Sequence, residues 1–322
     1  MKKILMTSGA ALMLSAGYAA ADVISFSGDA RMGVVYDNNA ENEFRIDSRI
    51  RGYFWFDAES DSGLEFGGRL RIDQAREGAN SVVGGSAGNY AYVASEFGEV
   101  RVGDVAGAAQ SAAGDLYGVG FTGLGFLNEP IYFQRNFAGG AVVTQRVDPI
   151  LGPRPANRAL YMYDLGDFSF YASTDSIDDA LVSTNVSVGA SYDMGMFNFG
   201  GGFEYFQLDD ADETDGTHIV GSAEGNFDMF SVKGHFGRAG GDLGDALPSQ
   251  NQFGASVEGT FDMITATAFA RQDFFEDRHF GLGGSYDLGG GARIDAGVRH
   301  TRYDDEDADN DTFADIGVNM SF

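Results

Sequence analysis

The 322-residue sequence has no cysteine, only 5 prolines and few basic residues, 21 Lys and Arg against 48 Asp and Glu. Without cysteine, no disulfide can hold the fold, even in a compartment that would permit one. A formal net charge of −27 argues against nucleic acid as a partner. Long apolar runs are also missing: beyond the N-terminus no stretch approaches 18 consecutive apolar residues, so no helix is expected to cross a bilayer. Glycine, by contrast, is abundant at 47 residues, which points to many tight turns and close-packed strands.

The first residues read as a targeting segment. Lys2 and Lys3 precede a mostly apolar stretch, Ile4 to Gly17, and Ala19-Ala20-Ala21 comes just before Asp22. A charged start, a short apolar core and a small-residue cleavage site make a signal peptide over 1–21. The mature domain is then 22–322, and losing the two lysines takes its charge from −27 to −29.

One phrase recurs along the chain: an aromatic, an aspartate and a Met or Leu, followed by a fresh alternating run. It appears at 163–168, 192–197, 227–230, 261–264 and 286–291. Each reads as a tight turn joining two antiparallel strands, and relatives at 58–66 and 95–100 bring the short turns to seven. Between them lie eight longer connections, most of them acidic, near 37–43, 76–87, 105–157, 175–180, 209–216, 239–251, 272–278 and 304–311. Fifteen connections imply sixteen strands. An even count with short turns at one end and long loops at the other is the pattern of a transmembrane β-barrel.

The segments between alternate with period two. Phe44, Ile46, Ile50, Phe54 and Phe56 oppose Arg45, Asp47, Arg49, Arg51, Tyr53 and Asp57; Leu64, Phe66, Leu70 and Ile72 oppose Glu65, Arg69, Arg71 and Asp73. The chain ends the same way, with Ala314, Ile316, Val318 and Met320 alternating with Asp315, Gly317, Asn319 and Ser321 before Phe322. Hydrocarbon cannot satisfy an unpaired backbone amide, so a spanning sheet must close on itself. The last strand is therefore expected to pair with the first, around 23–36, with its apolar side toward lipid. Aromatics gathered where strands meet short turns would make an interfacial girdle.

Several stretches carry a family resemblance: "ISFSGDARMGVVYDN" at 24–38, "DSGLEFGGRLRI" at 61–72, "FGEVRVGDVAGA" at 97–108, "GDLYGVGFTGL" at 114–124 and the terminal strand. The chain resembles the sixteen-stranded trimeric general porins of bacterial outer membranes, in the branch from purple non-sulfur and related bacteria. The resemblance implies an all-β, closed antiparallel barrel with its third long loop, about 105–157, folded inward as a constriction. It also implies a homotrimer in contact with the lipid bilayer and lipopolysaccharide. Phe322 is expected to be read by the outer-membrane assembly machinery.

Parity then places Arg31, Arg45, Arg49, Arg51, Arg69 and Arg71 on one inner wall, with Arg101 joining from the fifth strand. Asp29, Asp47 and Asp73 share that face and are placed to pin some guanidinium groups. Asp104, Asp115 and Glu129 are the expected acidic edge of the loop, although Arg135, Arg146 and Arg154 make that loop less acidic than is usual in the family. Opposed charges across a narrow opening would order water and disfavour apolar solutes.

Other signals are weaker. Asp210, Asp212, Asp307 and Asp309 sit in acidic loops that could offer oxygen ligands to Ca²⁺ or Mg²⁺, but neither loop has calcium-loop spacing. A solvated, self-repelling loop is the simpler reading. His218, His235, His279 and His300 are far apart and read as isolated polar residues, and no G-x-S-x-G phrase supports hydrolysis. Two alternatives stand beside a general diffusion channel. One is a substrate-selective channel, disfavoured by the lack of a contiguous aromatic slide. The other is a secreted soluble β-sandwich, which would turn the same alternation inside out.

Overall fold

The computed structural model describes residues 23–75, 88–134, 158–175, 182–208, 214–305 and 307–322. The expected signal peptide, the latter part of the third loop, and Asp210 and Asp212 lie outside the described residues.

Sixteen strands form one closed antiparallel barrel in which sequence neighbours pair and the last strand meets the first. The first eight are β1 (Val23–Asp37), β2 (Phe44–Glu59), β3 (Glu65–Ala75), β4 (Tyr90–Ser95), β5 (Gly98–Gly103), β6 (Arg158–Leu165), β7 (Phe168–Asp175) and β8 (Val182–Asp193). The others are β9 (Phe197–Leu208), β10 (Asp215–Phe227), β11 (Phe230–Gly240), β12 (Asn251–Phe261), β13 (Ile264–Gln272), β14 (Arg278–Gly289), β15 (Ala292–Arg302) and β16 (Asp311–Ser321). Closure runs from Asp29↔Ser321 to Asp37↔Phe313. It is completed by two backbone hydrogen bonds, Gly28 N–H to Phe322 O at 2.7 Å and Phe322 N–H to Gly28 O at 3.0 Å. No strand edge is left for hydrocarbon to meet.

The turn phrase has two local solutions. In two of the Tyr-Asp-x-Gly turns the aspartate accepts from an amide two residues on: Gly195 N–H donates to Asp193 Oδ1 at 2.7 Å, and Gly289 N–H to Asp287 Oδ1 at 2.8 Å, whereas Asp164 accepts from Ser169 Oγ at 2.5 Å. The glycine then takes the positive φ. In the Phe-Asp-Met turns the aspartate itself is left-handed, φ 42° at Asp228 and 57° at Asp262, as a two-residue hairpin requires.

The terminal strand fixes the orientation of the barrel. Ile316 is 56% exposed, whereas its neighbour Asp315 is 6% exposed. The same holds on the first strands, where Ile24, Phe44, Ile46 and Ile50 are exposed on the outside. A soluble sandwich has the reverse arrangement, so that alternative is excluded. At the short-turn end, exposed aromatics touch across strands: Phe168 stacks on Tyr192 at 4.2 Å between centroids and Phe227 on Phe230 at 5.2 Å. Tyr192, apolar in body and polar at its hydroxyl, suits the membrane–water boundary, and the phenylalanines continue the apolar band beside it.

A conventional core exists only inside the barrel, where the third loop packs on the wall. This loop carries helix α1 (Ala108–Ala113) and a 3₁₀ turn at Leu124–Phe126. A second short helix, α2 (Gly241–Ala246), sits in the loop after β11 and helps bury Leu127, Ile131, Phe133, Phe206, Leu243 and Phe274 together.

Candidate functional site

The inner faces of β1, β2, β3 and β5 carry all seven arginines read from the sequence. Register aligns them: Arg31 pairs with Arg49, Asp29 with Arg51, Arg51 with Asp73, and Tyr53 with Arg71. Carboxylates thread between the guanidinium groups. Arg31 Nε lies 2.9 Å from Asp47, Arg49 Nη2 lies 2.7 Å from Asp29, and Arg51 Nε lies 2.6 Å from Asp73. Asp73 also holds Arg71, Glu99 holds Arg101, and Asp37 lies 3.6 Å from Arg45. Among the described residues, seven guanidinium groups therefore share five carboxylates. The guanidinium groups without a carboxylate of their own fall on β2 and β3, where Arg51 and Arg71 share Asp73 and Arg69 pairs with no described carboxylate; Asp57 and Glu65 share that inner face nearer the short turns, around Tyr92.

The third loop lies against the rest of the wall. Its helix α1 contacts β7, β8, β9 and β10, and its 3₁₀ turn contacts β15 and β16. Inward glycines make that approach possible. A Cβ on Gly202 would lie 2.5 Å from the Ala109 Cα, and one on Gly200 would lie 2.0 Å from the Ala112 carbonyl oxygen. Gly33 and Gly317, paired across the β1–β16 seam, leave room for the Phe121 ring. Small residues on the loop thus lie on small residues of the wall, which places backbone against backbone.

Polar wall side chains then satisfy the loop backbone. Ala108 N–H donates to Ser173 Oγ at 2.8 Å, Ala109 N–H to Ser187 Oγ at 3.0 Å and Tyr117 N–H to Ser256 Oγ at 3.0 Å. Asp315 accepts from Phe121 N–H at 3.2 Å and from Thr122 N–H at 2.8 Å and its hydroxyl at 2.5 Å. Glu204 accepts from Phe133 N–H at 3.0 Å, Gln134 N–H at 2.8 Å and His218 Nδ1 at 2.6 Å. A buried backbone amide without a partner is costly, and these contacts meet that requirement without a sheet ladder.

The three expected loop acids do not form one edge. Asp104 is buried at the end of β5, where its Oδ2 accepts from Gly88 N–H. Asp115 and Glu129 gather near Arg271 of β13: Arg271 donates to the Glu129 carbonyl, and Asp115 Oδ2 takes a 3.3 Å bond from Gln110. Burial pushes the Asp115 carboxyl above the ordinary carboxylate range, against the opposing pull of Gln110, Lys233 and Arg271. Its neighbour Lys233 is on β11, eight strands round the ring from β3 and so half the circumference from Arg69. Glu224 and Glu258 share that side, flanking Tyr117 of the loop. Neither was singled out from the sequence, although strand parity carries the signal.

Two further expectations are corrected. His218 and His279 are not isolated. His218 pairs with Glu204 under the loop, and His279 Nε2 lies 3.0 Å from Asp273 Oδ2, because inward positions on adjacent strands meet across the ladder. Inward aromatics are also clustered: Tyr53, Trp55 and Tyr90 surround Arg69. In the acidic loops, Asp307 N–H caps Asp305 Oδ1 at 3.0 Å, and Asp309 lies in the same connection. Among the described residues no group of three or more His, Cys, Asp or Glu converges as a metal site.

A closed barrel with an apolar exterior, a charged lumen and a loop folded into it defines a membrane-spanning water channel. Comparison with known proteins agrees. A sequence model of the Gram-negative porin family matches residues 8–306. The porin of Rhodobacter capsulatus is 31% identical over 327 residues, spanning 93% of this chain and 100% of that protein. A porin structure refined at 1.8 Å superposes with a TM-score of 0.73 at 28% identity, covering 93% of this chain and 100% of the other. A triple mutant of the Rhodopseudomonas blastica porin shares the fold at 21% identity, with a TM-score of 0.72 and the same coverage. The chain belongs to the Gram-negative porin family: it is an outer-membrane β-barrel channel rather than an enzyme.

Proposed function

We propose that the channel passes ions and small hydrophilic solutes by diffusion through a constriction set between the arginine wall of β1–β5 and the loop packed on β7–β16. The observation that carries this is the cluster of Arg51, Arg69 and Arg71, which among the described residues shares one ion-paired carboxylate, Asp73, and faces a side that holds Asp115, Glu224 and Glu258. Burial weakens Asp115 as an anion, so Glu224 and Glu258 bear more of the opposing charge. A field across a narrow, low-dielectric-walled opening orients water and dipolar solutes, and an apolar solute must disrupt that order to enter.

Replacing Arg51, Arg69 and Arg71 together with Gln tests this. The reversal potential in a KCl gradient across a planar bilayer should move toward cation preference, more strongly at low salt where screening is weak. An unchanged potential would remove the wall from the selectivity filter. We also infer a homotrimer in contact with lipopolysaccharide, supported by the family resemblance and by the exposed apolar bands of β1 and β2, which suit either lipid or a second copy. Cross-linking in native membranes that yields only monomers would count against it.

A further inference from the structure

Arg69 differs from every other arginine of the basic wall. Among the described residues no carboxylate pairs with it. Its one hydrogen bond there runs from Nε to the Gly88 carbonyl at 2.7 Å. Its Cζ lies 5.5 Å from the Tyr53 ring centroid, 5.4 Å from Trp55 and 5.2 Å from Tyr90. The register explains the cage, since Trp55, Arg69 and Tyr90 stand directly across from one another on β2, β3 and β4, all on the inner face.

Rings on the inner wall of a water channel have no membrane to meet. Rings around a guanidinium group displace its face-on hydration, and the N–H groups at its edge remain available for an oxyanion. A carboxylate held at that edge would bring its own carbon skeleton against Trp55 or Tyr90. The cage also lies toward the short turns, since Trp55 is four residues from the end of β2 at Glu59. In outer-membrane barrels that is the periplasmic end.

We propose that Arg69, Trp55, Tyr90 and Tyr53 form a subsite for flat organic anions, a carboxylate or phosphate borne on a planar body, on the periplasmic side of the constriction. This rests on the reading of the lumen given above and narrows it: the channel holds such anions briefly and saturably while other small solutes pass. Binding must be weak enough for release, which a single guanidinium with no ion-paired carboxylate among the described residues and two or three rings provide.

Trp55 is the only tryptophan in the chain, so its fluorescence reports this place alone. The purified channel would be titrated with 4-nitrobenzoate, a quenching aromatic anion, and with 4-nitrobenzyl alcohol, its uncharged counterpart, with correction for absorption. The expected result is saturable quenching by the anion at concentrations at least tenfold below those at which the alcohol quenches. Arg69→Gln should abolish the difference, Arg69→Lys should keep part of it, and Arg238→Gln, outside the lumen, should leave it intact. The anion should also reduce single-channel current saturably in the wild type and not in Trp55→Leu. Linear quenching of equal strength by both probes, or saturable quenching that survives Arg69→Gln in a channel that still conducts, overturns the subsite. If neutralising the arginines shifts selectivity while quenching stays linear, the subsite falls and the basic wall stands; if selectivity does not shift, the reading of the lumen itself fails.

Discussion

Replacing Glu204 with Gln should loosen the inserted loop without opening the barrel. The Glu204 side chain is fully enclosed, and its Oε2 accepts from Phe133 N–H and His218 Nδ1 while Oε1 accepts from Gln134 N–H. The network fixes the imidazole as Nδ1–H, because Nε2 accepts from Gln252 Nε2 at 3.1 Å and Gln252 in turn holds the Ile131 backbone at both ends. Glutamine retains one acceptor; its better orientation turns that oxygen to Phe133 N–H and His218 Nδ1–H and sets the NH₂ against Gln134 N–H. One buried donor then loses its partner, so the docked loop loses about 1–3 kcal/mol. At 1.4 kcal/mol per tenfold, transient undocking should rise roughly fivefold to a hundredfold. Amide hydrogen exchange at Ile131–Gln134 should accelerate by that factor, and single-channel current should become noisier. Unchanged exchange and noise in a folded barrel would refute the view that this carboxylate latches the loop.

Three other outcomes follow from the same contacts. Gly202→Ala should overpack the seat of α1, costing about 1–3 kcal/mol and raising exchange at 108–113, whereas Gly221→Ala, whose Cβ would meet nothing closer than 3.8 Å, should be neutral. Asp115 has a raised carboxyl pKa in the fold, so the native state binds its proton more tightly than the unfolded chain does. Its contribution to stability therefore falls as pH rises from the ordinary carboxylate range through the raised value, and is flat above it. Asp115→Asn should thus raise the unfolding temperature at neutral pH, with the gain shrinking in acid; a pH-independent difference would contradict this. Deleting Phe322 removes both seam hydrogen bonds to Gly28 and the ring 6.4 Å from Phe26, and should slow assembly of the barrel in outer-membrane extracts.

The barrel was legible in the sequence because its constraints are local and repeated. Period-two alternation tells lipid face from lumen face along the strands, and short turns, most of them carrying an aspartate, mark every second connection. The arginine wall was legible for the same reason: Arg49, Arg51, Arg69 and Arg71 share a parity, and neighbouring strands bring them together. The loop was not. Its position depends on contacts between residues far apart in the chain, such as Ala109 on Gly202 and Phe121 on Gly33 and Gly317. In sequence those glycines read only as weak strand residues, and Ser173, Ser187 and Ser256 only as polar wall. The burial of Asp115 has no sequence signal, because parity has no meaning in an irregular segment. Trp55 lies in a run of four aromatics, Tyr53 to Phe56; its parity with Arg51 and Tyr53 turns it inward, but an apolar ring carries no polar signal for the lumen face.

The central claim is that the apolar side of each strand meets lipid and the charged side meets water in the lumen. The chain has no cysteine, so single cysteines report without background. Ile316→Cys and Asn319→Cys place thiols on opposite faces of β16. In a bilayer, a charged methanethiosulfonate should modify the cysteine at 319 and lower the current, and leave the one at 316 untouched. A fluorophore at 316 should be quenched by a nitroxide on the lipid chains. Modification at 316 from water, with lipid quenching at 319, would contradict the account.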